Sequence, residues 1–366
     1  MLICFCRLYN AALEHRISAY QKAGDSVTYY QQAGALKEIR AFDEQYRQFS
    51  HTAKQKVLKR LDNAYKAFFS RVKRGETAGF PRFKASARWN AAEFTFGDGL
   101  RLKGNRLRMV GVPGGIRIRW HRDIPGGAKI KAATVTRRQG QWFVCFQFEL
   151  NNVIPVIPET LIGIDLGLNS FIATSDGELQ VLPKFTRGGE RELRKANRTL
   201  ARRHKGSNGW KSAKKRVQKI HRGIAGERNK FIHTTSKRVV AQYDGIVLEN
   251  LNVKGLAKGM LAKSVHNAAW SKFIHCVEYK AENAGKSVET VNPAYTSQTC
   301  SSCGTIAKKT LAVRTHKCSD CRLVLDRDVN AAVNILHKSQ LWLETDHESL
   351  TYPAADCVDS KAVCFS

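Results

Sequence analysis

The sequence contains no apolar run near the ~18 residues that a membrane span needs, and no basic amphipathic segment long enough to dominate the chain, so no membrane role is indicated. Its start, Met1 to Leu8, is apolar but lacks the basic region and the length of a secretion signal, so a cytoplasmic location is expected. Cysteine is sparse, at ten in 366 residues, which excludes a disulfide scaffold. Cys4, Cys6, Cys145, Cys276, Cys357 and Cys364 read as ordinary thiols. There is neither an internal repeat nor a low-complexity segment. Acid is also scarce. Against 61 Lys+Arg stand 31 Asp+Glu, a formal net charge of +30. A field of that size attracts polyanions at long range, which makes nucleic acid the indicated partner.

What is present suffices for a substantial core, since 43% of the residues are hydrophobic, and the length suggests two or three structural units. From about Asn10 to Lys73 the pattern is helical. Val57, Leu61, Ala64, Tyr65, Phe68 and Val72 recur at spacings of three and four behind Ser50 as N-cap, which leaves Lys54, Lys56, Lys59, Arg60 and Lys66 facing water. Gly75 and the stretch Gly79 to Lys84, with its proline, end helix formation. Between Glu93 and Leu150 the period changes to two, in Ile116, Ile118 and Trp120 and again in Trp142, Val144, Phe146 and Phe148; this predicts a small, mostly antiparallel sheet or barrel. A linker with two prolines, Asn151 to Pro158, leads into a second domain. There, strands are expected at Leu161 to Leu166, Phe171 to Thr174 and Leu179 to Leu182, with a turn at Asp176-Gly177. A strand at Gly245 to Leu248, a helix around Ala268 to Ala284 and a strand near Val288 to Val291 complete an α/β order.

From Lys184 to Arg238 the chain is helical and very basic. Arg194, Lys195, Arg198, Arg202, Arg203, Lys205, Lys214, Lys215 and Arg216 are among many cations met by few acids. Such a run repels itself unless phosphates lie beside it, so these residues are candidates for nucleic-acid binding.

Two constellations carry chemistry. Cys300-x-x-Cys303 and Cys318-x-x-Cys321 enclose fourteen residues, and two such knuckles close a tetrahedral four-sulfur Zn²⁺ site of the structural kind. His316 is a weaker rival to Cys318. The second constellation is three carboxylates in sequence that wants burial. Asp165 sits inside the run Ile162-Gly163-Ile164-Asp165-Leu166-Gly167, Glu249 follows Ile246-Val247-Leu248, and Asp328 opens a helical run to Leu336. Buried carboxylates are costly together unless divalent cations share them, and oxygen-only ligands select Mg²⁺ or Mn²⁺. Two such ions can activate a water and stabilise the leaving oxygen in phosphodiester hydrolysis. Asp326, two residues from Asp328, reads as the helix cap and Asp328 as the ligand.

The order of these segments resembles the OrfB/TnpB insertion-sequence proteins, RuvC-like nucleases related to the type V CRISPR effectors. Gly163-Ile-Asp-Leu-Gly, Val247-Leu-Glu-Asn-Leu, Tyr295-Thr-Ser-Gln-Thr-Cys-Ser-Ser-Cys-Gly304, and Cys318-Ser-Asp-Cys followed by Asp326-Arg-Asp-Val-Asn-Ala-Ala-Val-Asn-Ile335 carry it. Gly79 to Lys84 and Trp120-His121-Arg122 look like the family's N-terminal half. The resemblance implies a helical recognition-like region over 1–92 and a wedge-like β-barrel domain over 93–157. After these it implies a RuvC-like RNase H fold over 158–340, with inserted helices and a zinc ribbon at about 296–325. It also implies a catalytic triad of Asp165, Glu249 and Asp328 with Mg²⁺ or Mn²⁺, structural zinc on the four cysteines, and a probable-transposase role as an RNA-guided DNA endonuclease. Its guide RNA would come from the element itself. By the same comparison the chain opens in the middle of the family's first helical region, without the preceding wedge strand. Residues 341–366 match no motif and are expected to be a flexible tail. An RNA-guided repressor without catalysis, a zinc-ribbon DNA-binding protein and a junction resolvase remain as alternatives, and the oligomeric state is not indicated.

Overall fold

The computed structural model describes residues 1–366 except 122, 139, 151–152, 184, 257–258, 260–267, 308–312, 346–360 and 364–366. Arg122, Lys184, Cys357, Cys364 and the tail acids Asp346, Glu348, Asp356 and Asp359 therefore lie outside the described residues. The chain divides into two compact units, Met1–Asn151 with Ala355–Ser366, and Asn152–Ala354.

In the first unit, α1 (Leu2–Ala23) ends at Gly24, whose φ of 73° provides the left-handed cap. Helix α2 (Tyr29–Phe42) opens on a Thr28/Gln31 capping box, and a single turn, α3 (Glu44–Arg47), precedes α4 (His51–Lys73). Ser50 caps α4 by accepting the Ala53 N–H at 3.3 Å. Val57, Leu58 and Leu61 are buried, but Val72 is 51% exposed, so the apolar face is covered only along the first half of α4. Lys54 departs from expectation. It lies a turn before Val57 and Leu58 on the buried face, is fully enclosed, and donates from Nζ to the Tyr46 carbonyl. Burial pulls its ammonium down to about 8.

The accompanying sheet comprises β1 (Ala91–Phe96), β2 (Gly99–Lys103), β3 (Arg106–Met109), β4 (Val112–Arg117), β5 (Lys129–Arg138), β6 (Gln141–Glu149) and β14 (Lys361–Val363), in the order β14-β6-β5-β1-β2-β3-β4. Its pairings are antiparallel apart from a short parallel contact between β1 and β2. Strand β4 stops at Arg117, but Ile118 and Trp120 beyond it keep the alternation, half-buried against the core on either side of exposed Arg119, and Trp120 stacks on Phe146 at 5.5 Å. Phe5, Leu13, Leu58 and Leu61 of the helices share one core with Phe94, Phe146 and Phe148 of the sheet, joining regions that the sequence suggests are separate.

The second unit is built on β7 (Leu161–Asp165), β8 (Ser170–Thr174), β9 (Leu179–Val181), β10 (Gly245–Glu249) and β11 (Ser287–Val291), in the order β11-β10-β7-β8-β9. The first three form the antiparallel meander, turning at Gly177 with φ 90°. Strand β10 pairs in parallel with β7 and with β11. Parallel neighbours need crossovers. One contains α5 (Phe185–Ala201) and α6 (Asn208–Gln242), two helices where the sequence reads as a single basic stretch, with the break at 202–207 and Ser207 capping α6. The other contains α7 (Val253–Leu256) and α8 (Trp270–Asn283). Ile232 and Val239 of α6, Phe273 and Val277 of α8, and Phe171 and Ile246 of the sheet form the core. A hairpin of β12 (Thr315–Lys317) and β13 (Val324–Asp326) then leads directly into α9 (Arg327–Thr345). The expected tail from 341 thus begins inside a helix. Among the described residues, no helix is long and apolar enough to cross a membrane.

Candidate active site and metal centre

Asp165 is the last residue of β7 and Glu249 the last of β10. Because these strands are parallel neighbours with Ile164 opposite Leu248, the two carboxylates leave the sheet side by side at its carboxyl edge. Asp328 arrives from elsewhere, in the first turn of α9. Gly163 makes its approach possible. A Cβ at that position would collide with the Ala332 carbonyl and the Leu336 backbone, so α9 lies against β7 only because residue 163 has no side chain. Two residues beyond the strand, Asp328 Oδ2 lies 3.6 Å from where a Gly167 Cβ would be.

All three carboxyls are raised, and Asp165 feels the charges of the other two. Asp165 keeps a partly accessible surface but is surrounded by protein; burial, then the charges of Glu249 and Asp328, push its carboxyl up to about 8. Burial also raises Glu249, against a hydrogen bond from Thr296 and the charge of Lys338. Asp328 is raised by burial and then by Asp326, against Arg314 and Arg327. Carboxyls that resist ionisation together become acceptable as carboxylates when cations share them. The donor set is oxygen only, which suits Mg²⁺ or Mn²⁺.

Several neighbours escape sequence reasoning. Thr296, 3% exposed, donates its hydroxyl to Glu249 Oε1. Arg314 NH1 stands 3.8 Å from Asp328 Oδ1, and Asn169, with its amide oxygen facing the guanidinium, accepts from Arg314 Nε at 3.0 Å. On α9, Asn330 and Asn334 are buried and bond back to the segment entering the first cysteine knuckle. A signal for this pair was present: two amides four residues apart within an otherwise apolar helical run need partners.

The four cysteines converge. Their sulfurs lie within 4.8 Å of one another, with Cys300 to Cys321 and Cys303 to Cys318 each at 3.5 Å. A tetrahedron of sulfurs about 2.3 Å from one ion has edges of about 3.8 Å, so the cluster matches a metal site. Cys300 and Cys318 are buried while Cys303 and Cys321 are exposed. Thr305, followed by Cys318 and Cys321, brings the Cys303 thiol down to about 6, toward the thiolate that binds metal. His316 is buried in β12, outside the cluster. Among the described residues, these cysteines form the only group of three or more potential ligands whose donor atoms come that close. The three carboxylates therefore stand farther apart than a closed single-ion cage.

Arg194, Lys195 and Arg198 on α5, Arg202, Arg203 and Lys205 in the break, and Lys214, Lys215 and Arg216 on α6 are all exposed. The two helices pack together. Gly189 leaves room for Ile224, where a Cβ would come within 2.7 Å of the Ile224 Cδ1.

A mixed α/β chain with a strongly basic surface, three clustered acids and a four-cysteine cluster of metal-site geometry has the makings of a nucleic-acid-processing protein. The family model described as "Probable transposase", OrfB of the IS605 type, matches residues 148–260, and the "Cas12f1-like, TNB domain" model matches 270–335. A "Putative RNA-guided DNA endonuclease" of Streptomyces pristinaespiralis is 34% identical over 346 residues, covering 91% of this chain and 83% of the relative. The "Putative RNA-guided DNA endonuclease InsQ" of Escherichia coli K12 is 30% identical over 352 residues, covering 90% and 86%. Cas12f1, solved as a complex with sgRNA and target DNA, shares the fold at a TM-score of 0.57 and 16% identity, over 90% of this chain and 80% of that one. The chain belongs to the TnpB/OrfB family.

Proposed function

We propose that this protein is a transposon-encoded, RNA-guided DNA endonuclease whose nuclease centre is RuvC-like and depends on a divalent metal. The observation that carries this reading is the convergence of Asp165, Glu249 and Asp328, from two parallel strand ends and a helix start, into a group whose carboxyls are all raised. These three would hold Mg²⁺ or Mn²⁺. Such ions, when bound, supply an activated water and charge stabilisation at the leaving oxygen. The protein's part is to hold three acids that are costly to ionise alone, and to keep Arg314 beside Asp328, where a guanidinium is available to a phosphate.

Guide RNA and target DNA would lie along the exposed cations of α5, α6 and the break between them. These contacts are to phosphate and leave sequence choice to base pairing. The four thiolates would hold one structural zinc, in keeping with their closed geometry. The test is to co-express the protein with the flanking RNA of its element, sequence the RNA that copurifies, and assay cutting of matched DNA with Mg²⁺ or Mn²⁺. Cutting that requires Asp165, Glu249 and Asp328 supports the endonuclease. Retention of RNA with no cutting under any divalent ion would replace it with an RNA-guided repressor.

A further inference from the structure

Glu249 is held by the zinc-ribbon segment. Thr296 lies four residues before Cys300 in the chain that enters the first knuckle. Its hydroxyl contacts both Glu249 Oε1 and, at 3.0 Å, the Pro293 carbonyl. A hydroxyl has a single proton to donate, and a charged acceptor forms the stronger bond, so the proton goes to the carboxylate. A carboxylate has lone pairs enough to accept this bond and still bind a cation. Thr296 therefore fixes the orientation of Glu249 without using it up.

Thr296 is itself fixed from α9. Asn334 Nδ2 donates to the Thr296 carbonyl at 2.8 Å and to the Thr299 carbonyl at 2.7 Å. One turn earlier, Asn330 Nδ2 donates to the Thr299 carbonyl at 2.8 Å, and its Oδ1 accepts the Ser301 N–H at 3.0 Å. Asn330 is fully buried and Asn334 is 8% exposed, so these bonds are shielded from water. Asp328 sits in the first turn of the same helix. Two acids remote in sequence are thus referred to one frame: Asp328 by being part of α9, and Glu249 through Thr296, which α9 holds by an amide.

We infer that Thr296 is a positioning residue that orients Glu249 for divalent-metal binding, and that Asn334 acts through Thr296. The inference rests on the reading of Glu249 as a ligand of the nuclease metal.

The experiment measures Mn²⁺ binding to the full-length, zinc-loaded protein without DNA, reading free Mn²⁺ by electron paramagnetic resonance. The variants are T296V, T296S and N334A, with E249Q as reference. Loss of a group that orients a metal ligand weakens binding by roughly 10- to 100-fold. T296V should show a loss of this order and N334A a smaller loss in the same direction, while T296S, which keeps the hydroxyl, should bind like the parent. Zinc content should remain unchanged. In cleavage assays T296V should need correspondingly more Mn²⁺ and recover most of its rate at saturation. Parent-like Mn²⁺ affinity in T296V overturns the inference. So does an equal loss in T296S, or a loss accompanied by release of zinc, because either would mean that the threonine only supports the fold. If the Mn²⁺ shifts appear as expected but the parent protein never cuts DNA, the positioning role stands and the endonuclease reading falls.

Discussion

Asp326 Oδ1 accepts the backbone N–H of Asp328 at 2.8 Å and that of Val329 at 3.3 Å. Of two acids two residues apart, one caps the helix whose first turn holds the other. Their substitutions should therefore separate. Asp326→Ala should cost about 1 kcal/mol of stability, as loss of an N-cap does, and leave most of the cutting. Asp328→Ala should remove several kcal/mol of transition-state stabilisation, at least about a hundredfold in rate, with guide binding intact. Thermal unfolding and single-turnover cleavage on both variants check this, and the reverse ranking would reverse the assignment.

Without Mg²⁺ or Mn²⁺, the cluster of three acids should make the fold sensitive to alkali. Asp165 is raised from 3.8 to about 8, so across that window the folded protein keeps a proton that the unfolded chain has released. Folding then holds more protons than unfolding, and stability falls as pH rises from about 4 to about 8. The melting temperature of Asp165→Asn should lose less than that of the parent between pH 5.5 and pH 8.5. Adding Mn²⁺ to the parent should remove most of the difference. An identical pH dependence in both proteins would contradict the burial and charge argument.

Metal analysis of protein purified without chelator should find one zinc per chain, because the described residues hold one complete set of four thiolates. Cys318→Ser should release it and lower the melting temperature, since binding energy in such a site is also folding energy. The second unit should be the part affected, as β12 and β13 run directly into α9.

Binding to RNA or DNA should weaken steeply with salt, the log-log slope rising by about 0.9 for each duplex phosphate neutralised. Reversing Lys214, Lys215 and Arg216 to Glu should flatten that slope and weaken every sequence alike, because phosphate contacts do not read bases. Filter binding across a salt series on matched and unmatched targets tests it. A slope near zero, or a loss confined to one sequence, would count against the assignment.

The sequence made the strands under Asp165 and Glu249 legible, because short apolar runs read as buried strands, and the paired cysteines announced themselves by spacing. Lys54 was not legible. A helical repeat marks which face is buried, but not that a lysine on that face will find a carbonyl such as that of Tyr46. Thr296 and Arg314 were hidden for a different reason. Thr296 meets Glu249 across 47 residues of sequence, and Arg314 meets Asp328 from the segment between the two cysteine pairs. Local pattern holds no record of such encounters. Asn330 and Asn334 lie between these cases, conspicuous as polar residues on an apolar helix yet silent about their partners.

The pairing of β7 with β10, and the seat of α9 against Gly163, settle where the three acids meet without reference to what lies between β9 and β10. The α5–α6 excursion joins the far edge of the sheet to a strand near its middle, and nothing in the ladder fixes how long that excursion must be. Its outer turns are consequently a tunable part. Shortening or lengthening α5 and the first half of α6 by whole turns would alter the reach of the cationic surface while leaving the three acids in register, so the extent of that surface and the geometry of the acid cluster can be redesigned separately.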